Sequence, residues 1–206
     1  MRTSILTILF LAIFSLSFGQ SGYKLDFKIK GLKDTTIYLG YYYGESTYIK
    51  DTTRVNALGI FSFDGKQPLP QGVYFLVLNK TRLFEGFVIG QTQRFSMETS
   101  TEDYIKYMKV TGDEDNRLFF ENMVFNMERH KEAEPYMKVM RDSTLKEDQK
   151  KEARAAFGKI NEKVIAYQDD VIAKYPTTMT ARIFKSTKQI IVPDPPKKAD
   201  GTIDST

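Results

Sequence analysis

The sequence predicts an α+β protein: an antiparallel β-sandwich or barrel of about eight strands, followed by a helical hairpin. Three observations lead there. From Tyr23 to about Val110 the apolar residues alternate with period two, the spacing of half-buried antiparallel strands. Gly, Pro and Asp interrupt that alternation roughly every ten residues, where tight turns need them. After Thr111-Gly112 the apolar spacing changes to three and four, which places one apolar face on a helix.

The elements follow in order. Arg2 and the apolar run Ile5–Phe18 have the make-up of a secretory signal peptide, with small Ser17 and Gly19 before a cut at Gln20. The alternative, an uncleaved anchor, would need roughly 20 apolar residues. Residues 20–112 form the expected β-sandwich domain. Its first strand is YKLDFKIK, with Tyr23, Leu25, Phe27 and Ile29 on one face and Lys24, Asp26, Lys28 and Lys30 on the other. The further strands expected are Ile37–Tyr43, Thr47–Arg54, Ile60–Phe63, Val73–Leu78, Leu83–Ile89, Arg94–Met97 and Ile105–Val110.

Residues 113–191 form the helical region. Asp113, Glu114 and Asp115 suit a helix N-terminus, where negative charge is favoured. Phe119, Phe120, Met123, Val124 and Met127 then supply the apolar face. Pro135 punctuates the run and suits the first position of a new helical turn. Thr144 and Glu147 have capping-box spacing and predict the start of the longest helix. Its seam of Ala153, Phe157, Ile160, Val164, Tyr167 and Val171 is expected to meet Phe119, Phe120, Met123 and Met127. That helix should end near Lys174, before Pro176. A short helix over 178–189 follows, and 192–206 reads as linker or tail.

Composition narrows the function. There are no cysteines among 206 residues, which excludes disulfides, thiol chemistry and Cys-ligated zinc. The net charge of +4 has no focus: residues 20–112 carry 12 basic and 9 acidic side chains, 113–170 carry 11 and 14, and 171–206 carry 6 and 3. Nucleic-acid binders concentrate Lys and Arg on one face, so none is expected as a partner. After signal removal no membrane span remains.

Candidate chemistry is sparse. His130, the single histidine, sits in the charged stretch ERHKEAE and reads as solvated helix surface. Asp113-Glu114-Asp115 fails as a calcium loop, because Leu118 and Val124 occupy the positions of glycine and glutamate. No phosphate-cradling glycine motif and no G-x-S-x-G occurs. No catalytic, cofactor or metal residue is therefore assigned. The triplet Asn79-Lys80-Thr81 matches an N-glycosylation signal, but the leader reads as bacterial and the triplet is set aside. The remaining feature is the tyrosine cluster at 38, 41, 42, 43 and 48. Alternation sends Tyr38 and Tyr42 to the face opposite Ile37 and Leu39. There they could stack on a sugar or a partner surface, or simply pack across strands.

Several motifs carry a resemblance. Gly31-Leu32 with Asp34 and Ile37-Tyr38-Leu39, then Asp51-Thr52 with Val55, then Gly59, Phe61, Phe63 and Gly65 match a turn-and-strand signature. The stretches GVYFLVL and VTGDEDNRLFFE continue it. Together they resemble the uncharacterised N-terminal β-domain of secreted bacterial thioredoxin-like thiol–disulfide proteins. The segment from Tyr175 onward resembles the linker that leads toward their thioredoxin-like domain. The resemblance implies a non-catalytic periplasmic or cell-envelope accessory module. Its partner would be a downstream thioredoxin-like domain or another periplasmic protein. Because the chain stops at ADGTIDST, inside the expected linker, truncation before a redox domain is expected. The alternative is a free-standing periplasmic or cell-surface protein that binds a glycan or peptide. Self-association is left open.

Export is directly testable. Protein recovered from the periplasm should begin at Gln20 by N-terminal sequencing; a retained Met1 in membrane-bound material overturns the cleavage assignment.

Overall fold

The computed structural model describes residues 22–83 and 86–188. The expected signal peptide with its Gly19–Gln20 cut, and the tail 192–206, lie outside the described residues. Among the described residues nine strands form two facing sheets, and three helices follow. The strands are β1 (Tyr23–Lys30), β2 (Thr36–Tyr43), β3 (Ser46–Arg54), β4 (Ile60–Gly65), β5 (Gly72–Leu78), β6 (Thr81–Arg82), β7 (Phe87–Ile89), β8 (Arg94–Ser100) and β9 (Lys109–Thr111). One sheet has the order β4-β1-β8-β9; the other runs β3-β2-β5, with β6 and β7 both pairing with β5. The arrangement is a sandwich, not a closed barrel.

The core follows from the alternation. Leu25, Phe27 and Ile29 of β1 face Ile37 and Leu39 of β2, Tyr74 and Leu76 of β5, and Phe87 and Ile89 of β7. Phe27 stacks on Phe61 at 5.1 Å between centroids and meets Phe87 edge-on at 5.6 Å, which ties the sheets together. At the sandwich edge the Tyr23 hydroxyl donates to Asp51 Oδ2 across the two sheets, at 3.0 Å. Burial, reinforced by the Asp51 carboxylate, pushes the Tyr23 hydroxyl up to about 12.

Three strand expectations need correction. The pairing is antiparallel throughout except between β1 and β8, which run parallel in register from Lys24–Arg94 to Lys30–Ser100. Alternation specifies faces and carries no information about neighbour direction. Of the described residues in the expected strand Leu83–Ile89 only Phe87–Ile89 form a strand, β7; β6 is Thr81–Arg82 and ends before Leu83. Gly86 between them sits at φ 147°, a conformation that interrupts a pleated strand. Only Lys109–Thr111 forms β9. The Asp103 carboxylate accepts from the backbone N–H groups of Ile105 and Lys106 and folds the preceding stretch into turns.

The helices are α1 (Glu114–Arg141), α2 (Glu147–Lys174) and α3 (Met179–Thr187). Each of the first two is about 42 Å long. Leu118 meets Val171, Phe125 stacks on Tyr167 at 4.5 Å, and Lys163 binds Glu132 at 2.6 Å. Partner numbers fall on α2 as they rise on α1, so the hairpin is antiparallel. Pro135 lies within α1 rather than opening a new element. It is exposed, so water can solvate the carbonyl its missing N–H would have served. Thr144 bonds the Asp142 carboxylate, and the N-cap of α2 is Lys146, whose N–H donates to Gln149 Oε1.

The seam on α2 forms, with Ala153, Ile160 and Val171 buried and Phe157, Val164 and Tyr167 half-buried. Its partners on α1 differ from expectation. Phe119, Phe120 and Met123 pack against the sandwich core, whereas Leu118 and Phe125 meet α2. Helix α1 therefore has two buried faces, and a single apolar spacing could not say which one met the sheets.

The junction between sandwich and helices is polar. Asn116, fully buried on the first turn of α1, accepts from the Val88 N–H at 2.6 Å and donates to the Val88 carbonyl at 2.7 Å. Its amide thus satisfies the outward N–H and carbonyl of Val88 as a neighbouring strand would. Asn116→Ala should destabilise the protein by roughly 2–6 kcal/mol, one to three for each orphaned Val88 group. Asn116→Asp should cost more, because a carboxylate would face the Val88 carbonyl. Denaturant unfolding measures both; a loss below about 0.5 kcal/mol for Asn116→Ala means the clamp is not formed.

Candidate functional site

Three surface features have the residues for recognition: a groove at the sandwich–helix junction, the aromatic outer face of the β3-β2-β5 sheet, and a polar cleft beside that face. The groove has a volume of about 450 Å³. Its floor is Ile105 and Met108 from the β8–β9 connection and Val110 of β9 with Phe120, Val124 and Phe125 from α1, and Tyr167 closes one side. Charged groups stand at the rim: Arg117 is fixed by Glu121 at 2.8 Å and Glu114 at 3.1 Å. Those carboxylates hold the Arg117 guanidinium protonated well above its ordinary range. The groove combines an apolar floor with fixed charges, the composition of a surface that buries an apolar side chain of a partner.

The groove keeps its shape because α1 cannot rotate on the sandwich. Gly112, at φ 85°, turns the chain out of β9, and Asp113 caps the helix by accepting the Asn116 N–H at 2.9 Å. The Asn116 amide donates to the same Asp113 oxygen at 2.6 Å. Asp115 accepts from the Thr180 N–H, and the Thr180 hydroxyl donates back to the Asp115 carbonyl, both at 2.8 Å. A Cβ at Gly90 would overlap Asp115 Oδ2, so glycine is required there for the close approach. Burial pushes the Asp113 carboxyl above its ordinary value, against the Asn116 hydrogen bonds that pull it down. The acidic triplet is thus a cap and a latch.

On the outer sheet face the two tyrosines separate. Tyr42 packs edge-on to Phe75 at 5.1 Å and lies beneath the Arg82 guanidinium, 4.9 Å from its ring, while Arg82 donates to its hydroxyl. Arg82 also covers Phe75 at 4.3 Å. Phe75 in turn lies over Gly40, whose missing side chain leaves room for the ring. Tyr42 is therefore a packed cross-strand residue, although 40% exposed. Tyr38, opposite Val77 and Thr52 and 37% exposed, has no ring or cation packed on it among the described residues. It lines the cleft, with Thr36, Arg54, Asn79 and Lys80.

His130 is exposed on α1, as its charged surroundings imply. Among the described residues no three His, Asp or Glu side chains are placed to hold a metal ion. No helix among them is long and apolar enough to cross a membrane. The groove was not legible in the sequence: Ile105, Met108 and Val110 read as a strand, and Phe120 with Val124 read as one apolar helix face.

The fold and the junction define a two-sheet sandwich with a latched helical hairpin. Within it, residues 23–119 match a family described as a domain of unknown function (DUF4369), a span from β1 into the first turns of α1 that includes the Asp113–Asn116 latch. Neither a curated protein nor a solved structure matches the chain.

The raised Asp113 carboxyl predicts a direction for stability. Its charged form is disfavoured in the fold, so this contribution is present at low pH and is lost as pH rises from 3.8 through the folded value. Asp113→Asn retains a capping oxygen and should match or exceed the parent at pH 7, with the difference narrowing as pH is lowered toward 4. Thermal unfolding across that range checks it; a variant that gains relative stability on acidification contradicts the assignment.

Proposed function

We propose that this chain is a non-catalytic extracytoplasmic accessory module of a thioredoxin-like thiol–disulfide protein, exported by its N-terminal signal into the periplasm or cell envelope. The observation that carries the reading is the junction groove, an apolar floor framed by fixed charges and held open by a latched helix. Such a surface takes an apolar contact from a partner without any movement of the module. The redox chemistry is assigned to the partner, because exchange needs a thiolate and this chain has no cysteine. The sequence resemblance supplies the partner's class: a thioredoxin-like domain, on the same polypeptide or a separate one. The family match over residues 23–119 supports the N-terminal half of that resemblance.

Photo-crosslinking tests the reading. A crosslinking amino acid at Val124, in the groove, should capture a thioredoxin-like sequence in cells, identified by mass spectrometry. The same probe at Thr47, on exposed β3, is the control. Equal capture at both positions, or no thioredoxin-like peptide at Val124, overturns the proposal.

A further inference from the structure

The polar cleft beside the outer sheet face has features that sheet packing does not require. It has a volume of about 490 Å³, within the roughly 300–1,000 Å³ range of ligand clefts. It lies where the β1–β2 connection meets the β5–β6 turn. Thr36 and Tyr38 share the outer face of β2, and Arg54 stands opposite Thr36 on β3. Asp34 borders one side, with Asn79 and Lys80 on the other. The Arg54 and Lys80 side chains form no ion pair or hydrogen bond among the described residues, so two cations are available to the cleft.

The turn that presents Lys80 adds to this. Leu78 pairs with Thr81, so Asn79-Lys80 is a two-residue hairpin turn with φ of 49° and 67°. Such turns favour glycine at the second position. The other two-residue turn, Gly44-Glu45, places a glycine at its positive φ. Lys80 thus adopts a positive φ that lysine rarely takes, in a position that lines the cleft with Tyr38 and Arg54.

We infer that this cleft binds a carboxylate-bearing sugar ring. The Tyr38 ring, partly exposed and with no ring or cation stacked on it among the described residues, offers a stacking surface to the apolar face of a pyranose. Arg54 and Lys80 meet the carboxylate. Asp34, Asn79 and Thr36 accept from and donate to hydroxyl groups. A bare phosphate would use the cations but leave Tyr38 idle. The cleft shares no residue with the junction groove, so this inference stands or falls apart from the accessory role.

Calorimetric titration of the full chain tests it, with trisaccharides of galacturonate, glucuronate and mannuronate, a neutral trisaccharide, and inorganic phosphate. At least one uronate should bind, with the neutral sugar tenfold or more weaker and binding weakened by salt. Lys80→Gly should reduce uronate affinity about tenfold while keeping or raising the melting temperature, since glycine suits the turn. Tyr38→Ala should reduce it similarly. Absence of binding by all three uronates, equal binding of phosphate or the neutral sugar, or unchanged affinity in Lys80→Gly overturns the inference.

Discussion

One side-chain amide sets the geometry on which the rest of this molecule depends. Asn116 takes both the N–H and the carbonyl of Val88, the backbone groups that β7 turns away from β5. An edge strand with buried, unsatisfied backbone groups would be costly. A helix placed there must therefore provide a donor and an acceptor at peptide spacing, and a carboxamide is the side chain that does so. This pairing fixes both the position and the rotation of α1. The direction of the hairpin follows, and with it the groove between Val124 and the β8–β9 connection.

Around that amide the junction uses polar contacts in which every partner is specified. Asp113 both caps α1 and orients the Asn116 amide, and Asp115 brings the first turn of α3 against that of α1. Apolar packing alone is non-directional and would allow the hairpin to settle at several angles. The sandwich core, led by Phe27 and its ring neighbours, supplies the bulk of the burial. The junction determines one orientation among many, and Gly90 makes room for it.

Tyr38 and Tyr42 occupy equivalent places in the alternation of β2, yet their surroundings differ. Tyr42 has Phe75 and Arg82 as neighbours across the strands, and its ring is consumed in packing. Tyr38 lies near the end of the sheet, where the adjoining turns leave a polar cleft. The difference comes from which residues the pairing of β2 with β5, and of β5 with β6, places beside each ring.

The sequence by itself determined the two-part architecture, because periods of two and of three to four reflect which side of a strand or helix is dry. It also determined the faces of β1 and β2, the acidic start of α1, the surface position of His130 and the impossibility of thiol chemistry. Strand direction, the break at Gly86 and the turns after Asp103 were decided in three dimensions, since alternation records burial and is blind to neighbours. The two-faced packing of α1 was likewise hidden: Phe119 and Phe120 look like seam residues until Asn116 fixes the helix rotation. Both the groove and the cleft draw their residues from segments far apart in the chain, and only tertiary packing brings those segments together.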